Sequence, residues 1–377
     1  MNLQADVSEQ GYSIEPLHIF DRRGKPSLRY NIPQILYAEG GRGAGKSMLL
    51  EHFALNYLSH GCVVFDMFGA ADSEGLAWLR APFINDINVL LLKGENVDVE
   101  CDWDVIEAGK LSLNDFTKYD LIISARALYR NKDEEYYAIG QATNVLYSRL
   151  YWNRVIFWLV REASGLWASR VIISKRQTDT IKEADYVLKE SRHLGIALGL
   201  DSLRYTSVDK DIRLQSDYMF FKACGIEGLP DEMKWLYSFF NPHWIQNMKP
   251  WQFIIVDRRG PLGAGWCPEL PWHKKEGENI VRQLGINIEF GELIDHGKDK
   301  GTFKTLSDPE HADIIALYLE KDIGMNKIAD QIKRCDRTVN LHIRKHNSAI
   351  DRSGFCPRCK RTKSKYQNIK AERHFSG

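Results

Sequence analysis

The chain has 377 residues, 44% of them hydrophobic and 27% charged, with a formal net charge of +1. That length suits one large domain plus something smaller, and the apolar share is ample for a core. No apolar run approaches the roughly 20 residues of a membrane span. The N-terminal stretch Met1-Asn2-Leu3-Gln4-Ala5-Asp6 lacks the basic-then-apolar layout of a secretory leader. Seven cysteines, five of them scattered singly, make no disulfide framework and predict a reducing, cytoplasmic setting. The charge is unevenly spread. Residues 331–377 hold 13 Lys/Arg against 3 Asp/Glu, a surplus of +10 that leaves −9 for the rest. A basic tail on an acidic body predicts a nucleic-acid contact at the C-terminus.

Residues 1–30 form a polar N-terminal extension, with a turn at Asp21–Pro26. Gln34–Glu39 then reads as a short buried strand. It leads into Gly40-Gly41-Arg42-Gly43-Ala44-Gly45-Lys46-Ser47, which fits the phosphate-binding pattern G-x-x-x-x-G-K-[ST] in full. Met48–Leu58 continues as an amphipathic helix, so the motif has the strand-loop-helix context it requires. Glycines allow backbone N–H groups to turn inward around phosphate oxygens, and the helix N-terminus adds its positive end. Lys46 is placed to reach the terminal phosphates and Ser47 to ligate Mg²⁺.

Cys62–Asp66 is a second core strand, ending in a carboxylate. Further strands are predicted at Ile87–Leu92, Leu121–Ser124, Val155–Val160, Ile196–Leu200, Tyr218–Phe221 and Phe253–Val256. Most are continuous apolar runs, as in strands covered by helices on both faces. Helices are predicted between several of them, notably at Glu134–Tyr151 and Thr178–Leu194. The alternation predicts an α/β fold with a mostly parallel sheet, a P-loop NTPase domain spanning residues 31–260. Residues 261–305, rich in Gly and Pro, read as an irregular connection. A small helical module follows over 306–377.

The strand Val155–Val160 ends in Arg161-Glu162-Ala163-Ser164. Here the chain resembles the HerA/FtsK group of hexameric DNA-translocating ATPases, in which this strand ends in Asp-Glu-Ala. The resemblance implies that Glu162 is the catalytic glutamate for the attacking water. Arg161 falls where that group carries the Mg²⁺-serving aspartate, which implies a rebuilt or weakened metal site. Asp66 is the first substitute to consider, and in that group an aspartate also follows the second strand; Asp120 and Asp201 are others. Downstream, Ser191–Leu203 and Arg204 have the layout of the group's sensor segment, with Leu203 where a polar Gln usually stands. Arg192 and Arg204 become candidates for sensing phosphate or bridging subunits. The resemblance covers about residues 30–260 and implies a homo-oligomeric ring, a hexamer, that binds ATP and Mg²⁺.

In the C-terminal module Asp308-Pro309-Glu310 starts a helix, with Pro where its missing donor is harmless. Ile314, Ile315, Leu317, Tyr318 and Leu319 mark its buried face. Asn326–Ile332 and Arg337–His346 are two shorter helices, and the small Ala329 sits inside the first of them. The set resembles a helix-turn-helix whose last helix enters the DNA major groove, with Arg337, Thr338, Asn340, Arg344 and Lys345 as DNA contacts. Cys356-Pro357-Arg358-Cys359 supplies half of a tetrahedral zinc site. His342 and His346, at i and i+4 on one helical face, are the nearest partners. The alternatives are His374 as a ligand, a redox dithiol or two free cysteines.

Together these features predict an ATP-hydrolysing DNA motor that translocates, packages or transfers DNA. The reading from a different class is a nucleotide-gated DNA-binding regulator with little or no hydrolysis, which Arg161 and Leu203 favour. A packaging enzyme with its own nuclease fits poorly, because no acidic cluster suited to two-metal cleavage follows the ATPase core.

Overall fold

The computed structural model describes residues 28–67, 74–147, 154–167, 175–203, 205, 208, 210–225, 228–291, 308–319, 323, 325–332 and 336–362. The chain divides into two compact units, Met1–Leu293 and Ile294–Gly377. Among the described residues no helix is long and apolar enough to cross a membrane.

In the first unit the chain runs β1 (Ile35–Glu39), α1 (Lys46–Ser59), β2 (Val63–Met67), β3 (Val89–Lys93), β4 (Val97–Glu100), β5 (Asp104–Glu107), β6 (Leu121–Ser124) and α2 (Lys132–Tyr147). It continues through β7 (Ile156–Val160), α3 (Ala163–Leu166), α4 (Lys175–Glu190), β8 (Ile196–Ser202), β9 (Tyr218–Phe221), β10 (Gln252–Asp257), β11 (Gly260–Trp266) and β12 (Asn287–Phe290). Ten of these strands form one sheet in the order β11-β10-β9-β1-β8-β7-β2-β6-β3-β5. From β9 to β5 every pairing is parallel, and β10 and β11 close one edge antiparallel. The apolar runs predicted as core strands are these strands, and β1, β2, β7 and β8 are buried along their whole length. The α/β expectation of a mostly parallel sheet flanked by helices is met.

The strand order places β8 between the phosphate-loop strand β1 and β7. Their register pairs Ala38 with Asp201 and Val160 with Leu200. Parallel alignment brings the C-terminal ends of β1, β7 and β8 to one edge of the sheet. Everything that follows those three ends can therefore meet at a single site.

Two expectations are corrected. The helix after the glycine loop is not half exposed: Lys46 and all of Met48–Leu58 are buried. The sheet covers one side of α1, and residues 267–273 cover another. Cys267, Leu270 and Trp272 are buried in the main core, and the Pro268 carbonyl lies 2.7 Å from Nε2 of His52. Residues 261–305, read as an irregular connection, accordingly carry β11 within the main sheet and β12, which pairs antiparallel with β4. Glycines and a proline concealed β11, and β12 is only four residues long. β11 lies at a sheet edge, where Pro is tolerated and local sequence signals are weak.

Gly199 on β8 shows how tightly the sheet meets α1. Tyr57 of α1 stacks on Phe157 of β7, ring centroids 4.5 Å apart. A Cβ on Gly199 would lie 2.4 Å from the Phe157 ring, which is fully buried and has nowhere to retreat. Gly199→Ala should destabilise the first unit by about 1–3 kcal/mol, the usual cost of overpacking, and Gly199→Val by more. A urea-denaturation midpoint unchanged in both variants would refute this packing.

Candidate functional site

The phosphate loop leaves β1 at Glu39 and is anchored by its neighbour on the sheet. Lys222 N–H donates to the Glu39 carbonyl and Gly41 N–H to the Ala223 carbonyl, each at 2.8 Å. Gly43 and Gly45 have φ of 72° and 79°, the left-handed region that favours glycine. A Cβ on Gly45 would also lie 2.3 Å from the Pro250 carbonyl oxygen, so this glycine is required twice over. Lys46 Nζ donates to the Gly41 carbonyl at 3.0 Å, folded back across its own loop. A cleft of about 490 Å³ opens here, lined among others by Lys46, Ser47, Glu74, Pro250, Trp251 and His273. The residues fit a nucleoside triphosphate with its cation: a glycine cradle at a helix N-terminus, a lysine that tracks phosphate oxygens, and a hydroxyl beside a carboxylate.

That carboxylate is Glu74, which no motif had singled out. Its Oε2 accepts from Ser47 Oγ at 3.3 Å. Glu162 follows β7, and its backbone φ is 53°, a conformation that costs a non-glycine residue free energy and concentrates at functional sites. The conformation is held by its neighbours. Glu162 N–H donates to Asp201 Oδ1 on β8, and the Gly165 carbonyl accepts from Tyr136 Oη at 2.8 Å and from Gln177 Nε2 at 3.2 Å. Burial raises the pKa of Glu162, Glu74 adds to the rise, and Lys46 opposes it. Asp201 is pushed up to about 7, first by burial, with Glu162 and Glu74 adding and Lys46 opposing. Lys46, Glu74, Glu162 and Asp201 thus share one electrostatic neighbourhood at the shared ends of β1, β7 and β8.

Arg161 is where the structure departs most from the sequence expectation. It does not face the metal position as a free cation. It is 1% exposed and bound on every side. Its Nε and Nη2 reach Asp66 at 3.1 and 2.7 Å, and its Nη1 pairs with Glu51 at 2.9 Å and with Glu74 at 3.4 Å. Burial alone would weaken its charged form, but Asp66, Glu51 and Glu74 together hold its pKa well above the usual value. Asp66, expected to contact the nucleotide or replace the lost metal ligand, is committed to Arg161 and to Trp78 Nε1 at 2.9 Å. Asp120 is spent on Arg154 at 2.7 Å and on Asn88 at the opposite ends of the strands. Glu51 has a second partner, His273, at 2.6 Å. Burial is the strongest influence on that pair and opposes both charges, yet Glu51 is lowered and His273 raised, because each holds the other ionised and Arg161 assists Glu51.

The sensor candidates separate. Arg192 precedes β8 and pairs with Asp217, which also accepts from the N–H of Ile35 at 2.9 Å. It therefore lies at the N-terminal edge of β1, roughly 15 Å along a five-residue strand from the loop, and does not reach the phosphate site of its own chain. Leu203 lines a second cleft with Gly40 and Gly41. Arg204 is outside the described residues.

Among the described residues the second unit has three helices, α5 (Asp308–Leu319), α6 (Met325–Gln331) and α7 (Asp336–Ser353). They pack around Ile314, Ile315, Leu319, Ile328, Ala329, Val339 and Ile343. α7 runs beyond the predicted His346. Arg344 and Lys345 are exposed on it, whereas His342 and His346 are buried. Arg337, Thr338 and Asn340 lie on α7, but their side chains are outside the described set. β13 (Phe355–Cys356) and β14 (Arg361–Thr362) form a hairpin around the cysteine turn. The histidine expectation is corrected in one respect. His346, Cys356 and Cys359 come together with His311 of α5, and His342 stands outside that group. His374 is outside the described residues.

The glycine loop, the parallel strand order and the converging carboxylates define an α/β P-loop NTPase. Neither a family model nor a curated protein matches the chain. Among solved structures it is similar to the genome-packaging NTPase B204 of Sulfolobus turreted icosahedral virus 2 in complex with AMP, with a TM-score of 0.39 and 16% identity over 64% of this chain and 100% of that one. It is also similar to the pCW3 conjugation coupling protein TcpA, with a TM-score of 0.37 and 12% identity over 71% of this chain and 69% of that one. A third is the type VII secretion ATPase EccC of Thermomonospora curvata, with a TM-score of 0.38 and 12% identity over 68% of this chain and 26% of that one. The class rests on the chain's own loop, strand order and site.

Two predictions follow from the buried charges. Arg161→Met should leave Glu51, Asp66 and Glu74 without their counter-ion and destabilise the first unit by about 3–5 kcal/mol. Arg161→Asp, which restores the residue usual in the HerA/FtsK group, should be worse still because it adds a fourth carboxylate. Denaturation midpoints equal to wild type would show that the network is not holding these groups. The second concerns Asp201, whose folded pKa is raised from 3.8 to about 7. The folded state therefore binds its proton more tightly, so its contribution to stability is full below pH ~4 and lost as pH rises through ~7. Asp201→Asn should flatten that part of the stability–pH curve in nucleotide-free protein; an unchanged slope would contradict the raised value.

Proposed function

We propose that this chain is an ATPase that couples nucleotide hydrolysis to moving DNA, a translocation, packaging or transfer motor of HerA/FtsK type. One observation carries the enzymatic half: Glu162, in a strained backbone conformation held by Asp201, shares an electrostatic neighbourhood with Lys46 and Glu74. In this reading the N–H groups of residues 40–47 take phosphate oxygens, Lys46 neutralises the terminal phosphates, and Ser47 with Glu74 holds Mg²⁺. The Mg²⁺ supplies charge compensation on the phosphates. Glu162 orients the attacking water and accepts its proton, a role that its upward-shifted proton affinity suits. Glu74 takes over the position that Arg161 vacates in the HerA/FtsK pattern. Arg161 acts from behind, holding the carboxylates of α1, β2 and Glu74 in register.

The DNA half is supported by the surplus of +10 beyond residue 330 and by Arg344 and Lys345, exposed on α7 away from its buried face. Arg337, Thr338 and Asn340 are further contacts on that helix. Binding would be strongly salt-dependent, as phosphate contacts are. A ring of identical subunits, a hexamer, fits Arg192, which is exposed and remote from its own loop, and Arg204, either of which could serve a neighbour's site. The second reading, a nucleotide-gated DNA-binding regulator, draws on Leu203, an apolar residue beside the phosphate loop.

DNA-stimulated ATPase measurement on the purified chain separates the two. The motor requires turnover that rises with DNA. Lys46→Ala should abolish nucleotide binding or turnover with the fold intact, and Glu162→Gln should lower turnover about 10²–10⁴-fold while nucleotide still binds. Nucleotide-dependent DNA affinity without turnover would establish the regulator. Turnover untouched by Lys46→Ala would remove the phosphate-loop assignment altogether.

A further inference from the structure

The C-terminal unit contains a group of side chains that the nucleotide site does not use. His311, at the start of α5, His346, on α7, and Cys356 and Cys359, on the hairpin, bring their ligand atoms within 4.8 Å of one another. Cys356 Sγ lies 3.5 Å from His311 Nε2, and Cys359 Sγ lies 3.3 Å from His346 Nδ1. A tetrahedral zinc ion with Zn–S of about 2.3 Å and Zn–N of about 2.0–2.1 Å separates its sulfur and nitrogen ligands by about 3.5 Å. The two observed separations match that value. Three of the four residues are buried, and they come from three separate segments of chain.

We propose that His311, His346, Cys356 and Cys359 bind one zinc ion, and that His342 is a positioning residue rather than a ligand. His342 Nδ1 lies 3.2 Å from His311 Nδ1 and 3.4 Å from Arg358 Nη1. With His311 Nε2 turned to the metal, its Nδ1–H donates to His342, the outer contact that metal-bound histidines commonly make. Arg358 donates to the same acceptor and fastens to Asp308 Oδ1 at 2.8 Å, tying the cysteine turn to the first turn of α5. Binding releases the two thiol protons, and Zn²⁺ with two thiolates and two neutral imidazoles is a neutral centre. That neutrality is what a buried position tolerates.

The unit has a reason to need such a staple. Among the described residues its hydrophobic cluster joins α5, α6 and α7 through Ile314, Ile315, Leu319, Ile328, Ala329, Val339 and Ile343, and small units commonly add a metal to such a core. The metal would join the N-terminus of α5, the middle of α7 and the hairpin. The basic face of α7 would then be presented on a rigid support.

The test uses the full chain purified without chelator. Elemental analysis should find one zinc per chain, and cobalt(II) exchanged for it should report a tetrahedral site with thiolate charge-transfer absorption. Cys356→Ser and His311→Ala should lose the metal in competition with a chromophoric chelator. His342→Gln should retain one zinc with affinity lowered about 10- to 100-fold, the usual cost of losing an outer contact. His311→Cys guards against simple misfolding: it should keep the metal and strengthen the thiolate–cobalt band, which a residue with only a packing role would not do. Nucleotide binding by each variant reports that the first unit is folded. A chain that holds no zinc and takes up neither zinc nor cobalt on reconstitution overturns the site. Loss of metal in His342→Gln with retention in His311→Ala overturns the ligand assignment.

Discussion

A single guanidinium organises the nucleotide-binding unit. Arg161, at the end of β7, ties Glu51 of α1, Asp66 of β2 and Glu74 into one buried ion-pair network. Each of those carboxylates would be costly to bury alone, and a planar donor fork is suited to meeting several acceptors at once. The network reaches the surface at two points. Through Glu51 it meets His273 on the segment covering α1, and through Glu74 it meets Ser47 at the phosphate loop. Arg161 thus pairs with the same carboxylate that Ser47 of the phosphate loop contacts.

Strand order does the rest. With β8 inserted between β1 and β7, Asp201 stands between the phosphate loop and Glu162 and can take the Glu162 backbone N–H. The left-handed conformation of Glu162 is a local cost that this bond and the Gly165 contacts offset. The same parallel alignment sends Arg192 and Asp120 to the far edge, where they pair with Asp217 and Arg154. Distance along a strand, not chemistry, decides which charged residues belong to the site.

The C-terminal unit solves a different problem with similar means. Its sequence beyond residue 330 carries a surplus of +10, so self-repulsion works against compaction. The zinc site proposed above would counter this by joining α5, α7 and the hairpin, while leaving Arg344 and Lys345 exposed.

The sequence by itself determined the phosphate loop, the core strands and the α/β class, because those signals are local: glycines at fixed offsets, and apolar runs too continuous to be exposed. It also singled out Glu162, through the resemblance of its strand end to the Asp-Glu-Ala of the HerA/FtsK group, and paired His346 with the cysteine turn through short spacing. What only the tertiary structure decided are the partners. Arg161 looked like an intruder at a metal site because Glu51, Asp66 and Glu74 come from three distant segments. Glu74 carried no motif, and the imidazole grouped with His346 and the cysteines is that of His311, 31 residues before His342 and out of reach of the i, i+4 spacing. Residues 267–273 were read as connection although they bury the outer face of α1. In each case the deciding interaction is a non-local ion pair, ligand contact or packing surface, which exists only once the chain has closed on itself.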